Sequence, residues 1–394
     1  MIQDTTAFRS PNSNRIAALV LANGAMSRTQ LCDVTGLTGA AVSRITRDMI
    51  SAGFLCEGPE VIAAKRAGRR EVMLKIAEDY RHVLALTITG NRRTLVLAKA
   101  SGRIIEEIDL IDVSLTDPVV ALQTFSDRAR ECLVAHGLKP VNVAGVAVSL
   151  SITAAGSTEL VTSSPLGWQD VNVRDILEQD LGLPVVVEAR ATSILRADLL
   201  LNASCSSAFL INVALGVGSS AYLNNNLVAP GVSGFGGVTH LVVPGQEQRC
   251  YCGRHGCLEV SGGGHAILSA LGRTQPSAKV KNDTLSDILN DASLGDRDAI
   301  VAIRMAAQNM AAGIDSVLSL FAPEVVILTG IVGRHDVYRM AVVEALHAMG
   351  RRIHARMIRA SNIRSTDAAV WLALETFIAQ DLIEAIDHSF AKAV

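Results

Sequence analysis

At 394 residues the chain is longer than one ordinary core requires, and its 49% apolar content is ample for two or three domains. A net charge of -2 excludes a uniformly basic nucleic-acid coat, yet residues 1–75 hold ten Lys/Arg against six Asp/Glu, which is +4 and leaves -6 for the remainder. The polar start MIQDTTAFRS is unlike a secretory leader, and no run approaches the roughly 20 apolar residues of a membrane span, so a cytoplasmic location is expected.

Residues 14–76 predict three short helices and a hairpin. Ile16, Leu19 and Val20 recur at helical spacing before Gly24; Ser27 can cap a second helix carrying Leu31 and Val34. Gly36 ends that helix, Thr38 can cap the next, and Val42, Ile45 and Met49 give it one apolar stripe. The gap of about three residues between helices two and three is that of a helix-turn-helix. Strands at 54–56 and 71–76 flank a loop with Lys65, Arg66, Arg69 and Arg70, which completes a winged helix. A recognition helix over 38–52 offers Thr38, Ser43, Arg44 and Arg47 to a major groove, Arg28 approaches the backbone, and Arg69 and Arg70 suit a minor groove. Two copies would match an inverted-repeat operator, so a homodimer or tetramer on double-stranded DNA is expected.

From about Tyr80 the pattern becomes α/β. Strands at 83–89, 94–100 and 104–110 read as an antiparallel meander, followed by a helix at 119–135 and a buried strand at 143–150. The second half repeats the tendency with a strand at 208–215, helical material over 285–320 and a strand at 325–328. A terminal helix at 367–385 is expected to return to the first half. The division is then 1–78 for DNA binding and 79–394 for a two-lobed unit, with lobe 1 at 79–188 plus 366–394, lobe 2 at 189–365, and a cleft between them.

Three of the seven cysteines crowd into CYCGRHGC, as Cys250, Cys252 and Cys257, with His240 upstream. Thiolate and imidazole suit a closed, tetrahedral zinc site, one ion per chain, and Gly253 and Gly256 let the backbone wrap tightly. His255, inside the cluster, is the alternative fourth ligand.

The stretch GVSGFGGVTHLVVPGQEQRCYCGRHGCLE at 231–259 resembles the zinc motif of the ROK family of repressors and sugar kinases. SRTQLCDVTGLTGAAVSRITRDMISAGFL, AGRR, PLGWQDVNVRDILEQDLGLPVVVE and AAGIDSVLSLFAPEVVILTG agree with it. The resemblance implies a duplicated ribonuclease-H-like fold, as in hexokinase and actin, behind a winged helix. It also implies a transcriptional regulator, a repressor of carbohydrate uptake or catabolism genes, controlled by a sugar or sugar derivative. An active sugar kinase, and a regulator governed by a protein partner, are the alternatives.

Two departures from the family bear on catalysis. Where its kinases carry DxGGT on the first strand, this chain reads Thr87-Ile88-Thr89-Gly90-Asn91, without the acid. Where the family reads VENDAN, the chain reads Val187-Glu188-Ala189-Arg190-Ala191-Thr192, and a guanidinium cannot serve as the base that the Asp provides. Gly216-Val217-Gly218 and Leu328-Thr329-Gly330 are either tight turns or remnants of a nucleotide site. Family sugar positions fall on Ala189, Arg190, Gly237, His240 and Glu259. Arg190 would pair with a carboxylate or phosphate on an acidic or modified sugar, or else makes a structural salt bridge.

Overall fold

The computed structural model describes residues 10–62, 70–152, 154–155, 160–202, 205–228, 237–273, 278–354 and 357–379. The first unit comprises α1 (Pro11–Asn23), β1 (Met26–Ser27), α2 (Arg28–Thr35), α3 (Gly39–Ser51), β2 (Leu55–Ile62) and β3 (Arg70–Ile76). Its caps follow from the sequence: Ser27 forms a capping box with Gln30 at the start of α2, Gly36 closes that helix at φ 70°, and Thr38 accepts from the Ala41 amide at the start of α3. Ile16, Leu19, Leu31, Val42, Met49, Leu55 and Leu74 are all buried in one cluster.

The hairpin differs in two ways from expectation. Met26 and Ser27 add a third strand, giving the order β1-β3-β2, and β2 runs on to Ile62. The β2–β3 register shifts between Glu57 and Glu60, where Gly58-Pro59 interrupts the strand; proline has no amide to give the ladder. Lys65, Arg66 and Arg69 lie outside the described residues.

Lobe 1 contains β4 (His82–Ile88), β5 (Arg93–Lys99), β6 (Ile104–Asp109), α4 (Pro118–Ala135), β7 (Val143–Leu150), a small sheet of β8 (Ala154–Ala155), β9 (Val161–Ser163) and β10 (Trp168–Val171), then α5 (Val173–Leu181) and β11 (Val185–Ala189). Its main sheet has the order β11-β7-β4-β5-β6, with β4, β5 and β6 antiparallel and β7 and β11 parallel to β4. After α6 (Arg190–Asn202), lobe 2 contains β12 (Ala208–Val213), β13 (Val217–Leu223), β14 (Asn226–Leu227), α7 (Leu258–Ser261), α8 (Gly264–Ala270), α9 (Ala278–Ser293), α10 (Arg297–Phe321), β15 (Val325–Thr329), α11 (Gly330–Gly333), α12 (Asp336–Ala348) and β16 (Ile358–Ala360). Its sheet order, β14-β13-β12-β15-β16, has the same strand polarity. Two sheets of one topology in tandem are the duplicated ribonuclease-H-like fold.

Alternation along β4 divides the core of lobe 1. Leu84, Leu86 and Ile88 face the cluster containing Leu122 and Phe125 of α4, while Val83 and Ala85 face the cluster containing α6 and the last described helix, α13 (Ser365–Phe377). α13 packs on β4, β7 and α6, so the last described helix returns to lobe 1; the expected continuation of this helix to 385 lies largely outside the described residues. α6 joins the lobes and is tied to both sides: Arg196 bonds Glu375 of α13 at 2.8 Å, and fully buried Asp198 pairs with Arg359 of β16. No helix among the described residues is long and apolar enough to cross a membrane.

Candidate functional site

A cavity of about 350 Å3 opens between the two sheets, lined by the β4–β5 turn (Thr89, Gly90, Asn91), the β11–α6 junction (Glu188 to Thr192) and the β12–β13 turn (Ala214 to Gly218). Ala189 and Arg190, His240, and Glu259, from three separate stretches of sequence, all reach its wall. Gly237 opens the 3-10 turn Gly237–His240 that delivers Thr239 and His240.

Glu259 is held rather than free. Its Oε2 accepts from the Val217 amide at 2.7 Å, and it is 7% exposed. Burial lifts its pKa to about 7, against the pull of the Val217 hydrogen bond and of Arg190. A Cβ at 216 would stand 2.1 Å from Glu259 Oε1, so any residue other than glycine would have to displace that carboxyl group. Arg190, the first residue of α6, is desolvated, which lowers its pKa, and Glu259 is the charge that opposes this. No salt bridge within 4 Å is made by Arg190 among the described residues, in contrast to the neighbouring Arg196, which pairs with Glu188 and Glu375. A cation on the cavity wall therefore faces one carboxylate already engaged elsewhere.

The metal-ligand group lies beside this cavity. His240, Cys250, Cys252 and Cys257 place their donor atoms within 4.8 Å of one another, with Cys250 Sγ 3.6 Å from His240 Nδ1 and Cys252 Sγ 3.6 Å from Cys257 Sγ. These residues could hold a metal ion. The loop closes because the Cys250 amide bonds the Arg254 carbonyl and Gly256 adopts φ 74° against the Gln246 carbonyl, where a Cβ would come within 2.3 Å. His255 is not in the group; its backbone instead bridges to Arg249. Tyr251 packs edge-on to His240 at 5.3 Å and also lines the cavity, so the metal loop and the cleft share two side chains.

The turn after β4 carries no acid, and Thr89 spends its hydroxyl on Asn91 and the Arg92 carbonyl. Sequence reading missed Glu188, Thr239, Tyr251 and His265 on the cavity wall. Glu188 and Tyr251 adjoin residues already singled out, so their position beside Arg190 and within the cysteine cluster was the available signal. His265 gave none.

At the other end, Arg44 and Arg47 are exposed on α3, Ser43 is half-buried, and Thr38 is exposed at the N-cap. Arg70 is exposed at the start of β3 and approaches Glu60 at 3.5 Å. Arg28 is engaged internally: Nε donates to Thr46 Oγ1 at 3.1 Å and Nη2 pairs with Glu57 at 3.0 Å, fastening α2 to α3 and β2. Arg15 was overlooked; it donates to the Val34 and Thr35 carbonyls at the end of α2.

The ROK family model matches residues 114–369, well over half of the chain. The chain belongs to the ROK family. A xylose repressor of Caldicellulosiruptor bescii is 25% identical over 337 residues, covering 82% of this chain and 84% of the repressor. Among solved structures, a ROK family transcriptional regulator homologous to the E. coli MLC protein aligns with a TM-score of 0.70 at 20% identity, over 96% of this chain and 98% of its own. A ROK family glucokinase from Streptomyces griseus, solved with glucose and AMPPNP, aligns at 0.61 and 19% identity over 75% of this chain and 99% of its own. The kinase fold thus leaves a quarter of the chain unmatched, whereas 96% coverage must include most of the N-terminal winged helix. This ROK chain has the organisation of the family's DNA-binding regulators, and its relatives include xylose repressors, the DNA-binding transcriptional repressor Mlc and the DNA-binding transcriptional dual regulator NagC, the last two of Escherichia coli.

Proposed function

We propose that this ROK protein is a DNA-binding repressor of carbohydrate genes whose operator affinity is set by an acidic sugar derivative held between the lobes. The observation that carries the ligand class is Arg190, a desolvated guanidinium on the cavity wall without a salt-bridge partner among the described residues, in a position where a neutral sugar would need acceptors. A carboxylate or phosphate would pair with it bidentately, while Glu259 and His240 accept or share hydroxyl bonds. The same substitution removes phosphoryl transfer, because neither Arg190 nor the acid-free turn at Thr89 to Asn91 supplies a base or a metal-binding carboxylate. Isothermal calorimetry tests the ligand class: uronic acids or sugar phosphates are expected to bind at least tenfold more tightly than neutral hexoses, with the preference lost in Arg190→Ala. Tight glucose binding by the wild-type protein would refute it.

The donor set of three thiols and one imidazole fits zinc in a closed structural role. His240 would bind the ion through one ring nitrogen and address the cavity with the other, so metal loading would set the geometry of the ligand site. His240→Ala is expected to hold one zinc fewer per chain than wild-type by elemental analysis. Residues 1–78 would form the DNA reader and 79–394 the sensing and oligomerising unit, working as a homodimer or tetramer on an inverted repeat. Thr38, Ser43, Arg44, Arg47 and Arg70, with Arg69 from the adjoining wing, would make the DNA contacts.

A further inference from the structure

A second group of metal-ligand side chains lies on lobe 1, away from the cleft. Cys132 sits in the last turn of α4 and His136 is its C-cap residue, four positions on, so both project from one flank of the helix end. Glu106 reaches them from the edge strand β6: its Oε2 is 2.7 Å from His136 Nε2 and 3.5 Å from Cys132 Sγ. The three donor atoms lie within 4.8 Å of one another. Tetrahedral zinc, with bonds of about 2.0–2.3 Å, sets neighbouring donors roughly 3.3–3.6 Å apart. Small side-chain rotations would bring these three to one ion.

The surroundings favour a cation. Cys132 is 3% exposed, and its Sγ contacts the Glu106 carboxylate, so a sulfur and an oxygen donor already meet at the helix end. His82, the first residue of β4, belongs by strand alternation to the sheet face that carries Leu84 and Leu86 toward α4. Burial lowers the pKa of its imidazole, and its Nδ1 is buried without a hydrogen-bond partner among the described residues. Lys99, the cation beside it, is neutralised by Glu78 and Asp79. His136 and Glu106 are partly open to solvent, which leaves a path of entry and room for water as a fourth ligand.

We infer that Glu106, Cys132 and His136 form a second divalent-cation site, suited to zinc, that ties edge strand β6 to the end of α4. Binding would deprotonate the Cys132 thiol and release its proton to solvent, so that thiolate and carboxylate together balance the charge of the ion. Full-length protein dialysed against excess zinc, desalted and analysed for metal per chain tests this. Wild-type is expected to hold one zinc more than either Cys132→Ser or His136→Ala. The readout is a difference, so it stands whatever the Cys250 loop retains, and a His240→Ala protein is expected still to lose one further zinc on His136→Ala substitution. His136→Ala, at a partly exposed helix end, decides the matter if Cys132→Ser does not fold. Equal zinc content in wild-type and a folded variant would overturn the site.

Discussion

Arg190 and Glu259 share the wall of one cavity. The carboxyl group of Glu259 is buried, so its pKa of about 7 in the folded protein exceeds the ordinary glutamate value. Its neutral form is therefore favoured by folding. That contribution is complete below about pH 4.5 and is lost as pH rises through about 7. Relative to Glu259→Gln, the wild-type protein is expected to lose on the order of 1–3 kcal/mol of unfolding free energy between these pH values and none above them. Urea titrations of both proteins across pH 4–8 measure it; parallel stability profiles would contradict the burial. An anionic ligand on Arg190 would push the Glu259 pKa higher still, so effector affinity should rise as pH falls through neutrality.

At the level of elements, α3 is held by its apolar stripe and cap and leaves its opposite face exposed. Arg44 and Arg47 are exposed there and bound to nothing in the described residues, whereas Arg28 is consumed in fixing α2 to α3. Arg44→Ala combined with Arg47→Ala is expected to weaken operator binding by at least tenfold and to reduce the slope of log K against log salt by about 2. Gel-shift measurements at several salt concentrations read both quantities, and unchanged slope and affinity would remove α3 as the reader. Arg28→Ala should instead act through stability. The joining helix α6 carries Arg190 at its start and is anchored through Arg196 to lobe 1 and through Asp198 to lobe 2. A ligand that draws on Arg190 thus acts on the element connecting the lobes.

Across the whole molecule, the apolar core does not stop at the winged helix. One continuous cluster runs from Ile16 and Leu19 through Leu74 and Ile76 to Val83 and Ala85 of β4 and on to Leu372 and Leu374 of α13. Phe54 and Tyr80 meet edge-to-face at 5.1 Å where the DNA-binding unit joins lobe 1. Such a joint can pass a change in lobe position to the reader, provided that both ends bias one two-state element. Tyr80→Ala is expected to keep operator affinity within about threefold of wild-type while reducing the ligand-induced change in that affinity. An undiminished ligand response in this variant would place the coupling elsewhere.

Local chemistry was enough to read the caps at Ser27 and Thr38, the stripe of Val42, Ile45 and Met49, and the cysteine spacing, because each depends on residues a few positions apart. Strand and helix patterning gave two lobes with a cleft, and the family resemblance added the duplicated ribonuclease-H-like fold and pointed to the exchange at Arg190. Tertiary structure alone decided which groups Arg28 meets within the chain, since Glu57 comes to it from a strand 29 positions away. It also decided that Glu259 is buried against the β12–β13 turn, that Tyr251 flanks His240, and that Glu106 meets Cys132 and His136 across 26 and 30 positions. The physical reason is that capping and periodicity act over single turns of chain, whereas desolvation and ion pairing depend on which distant segments the two sheets bring into contact.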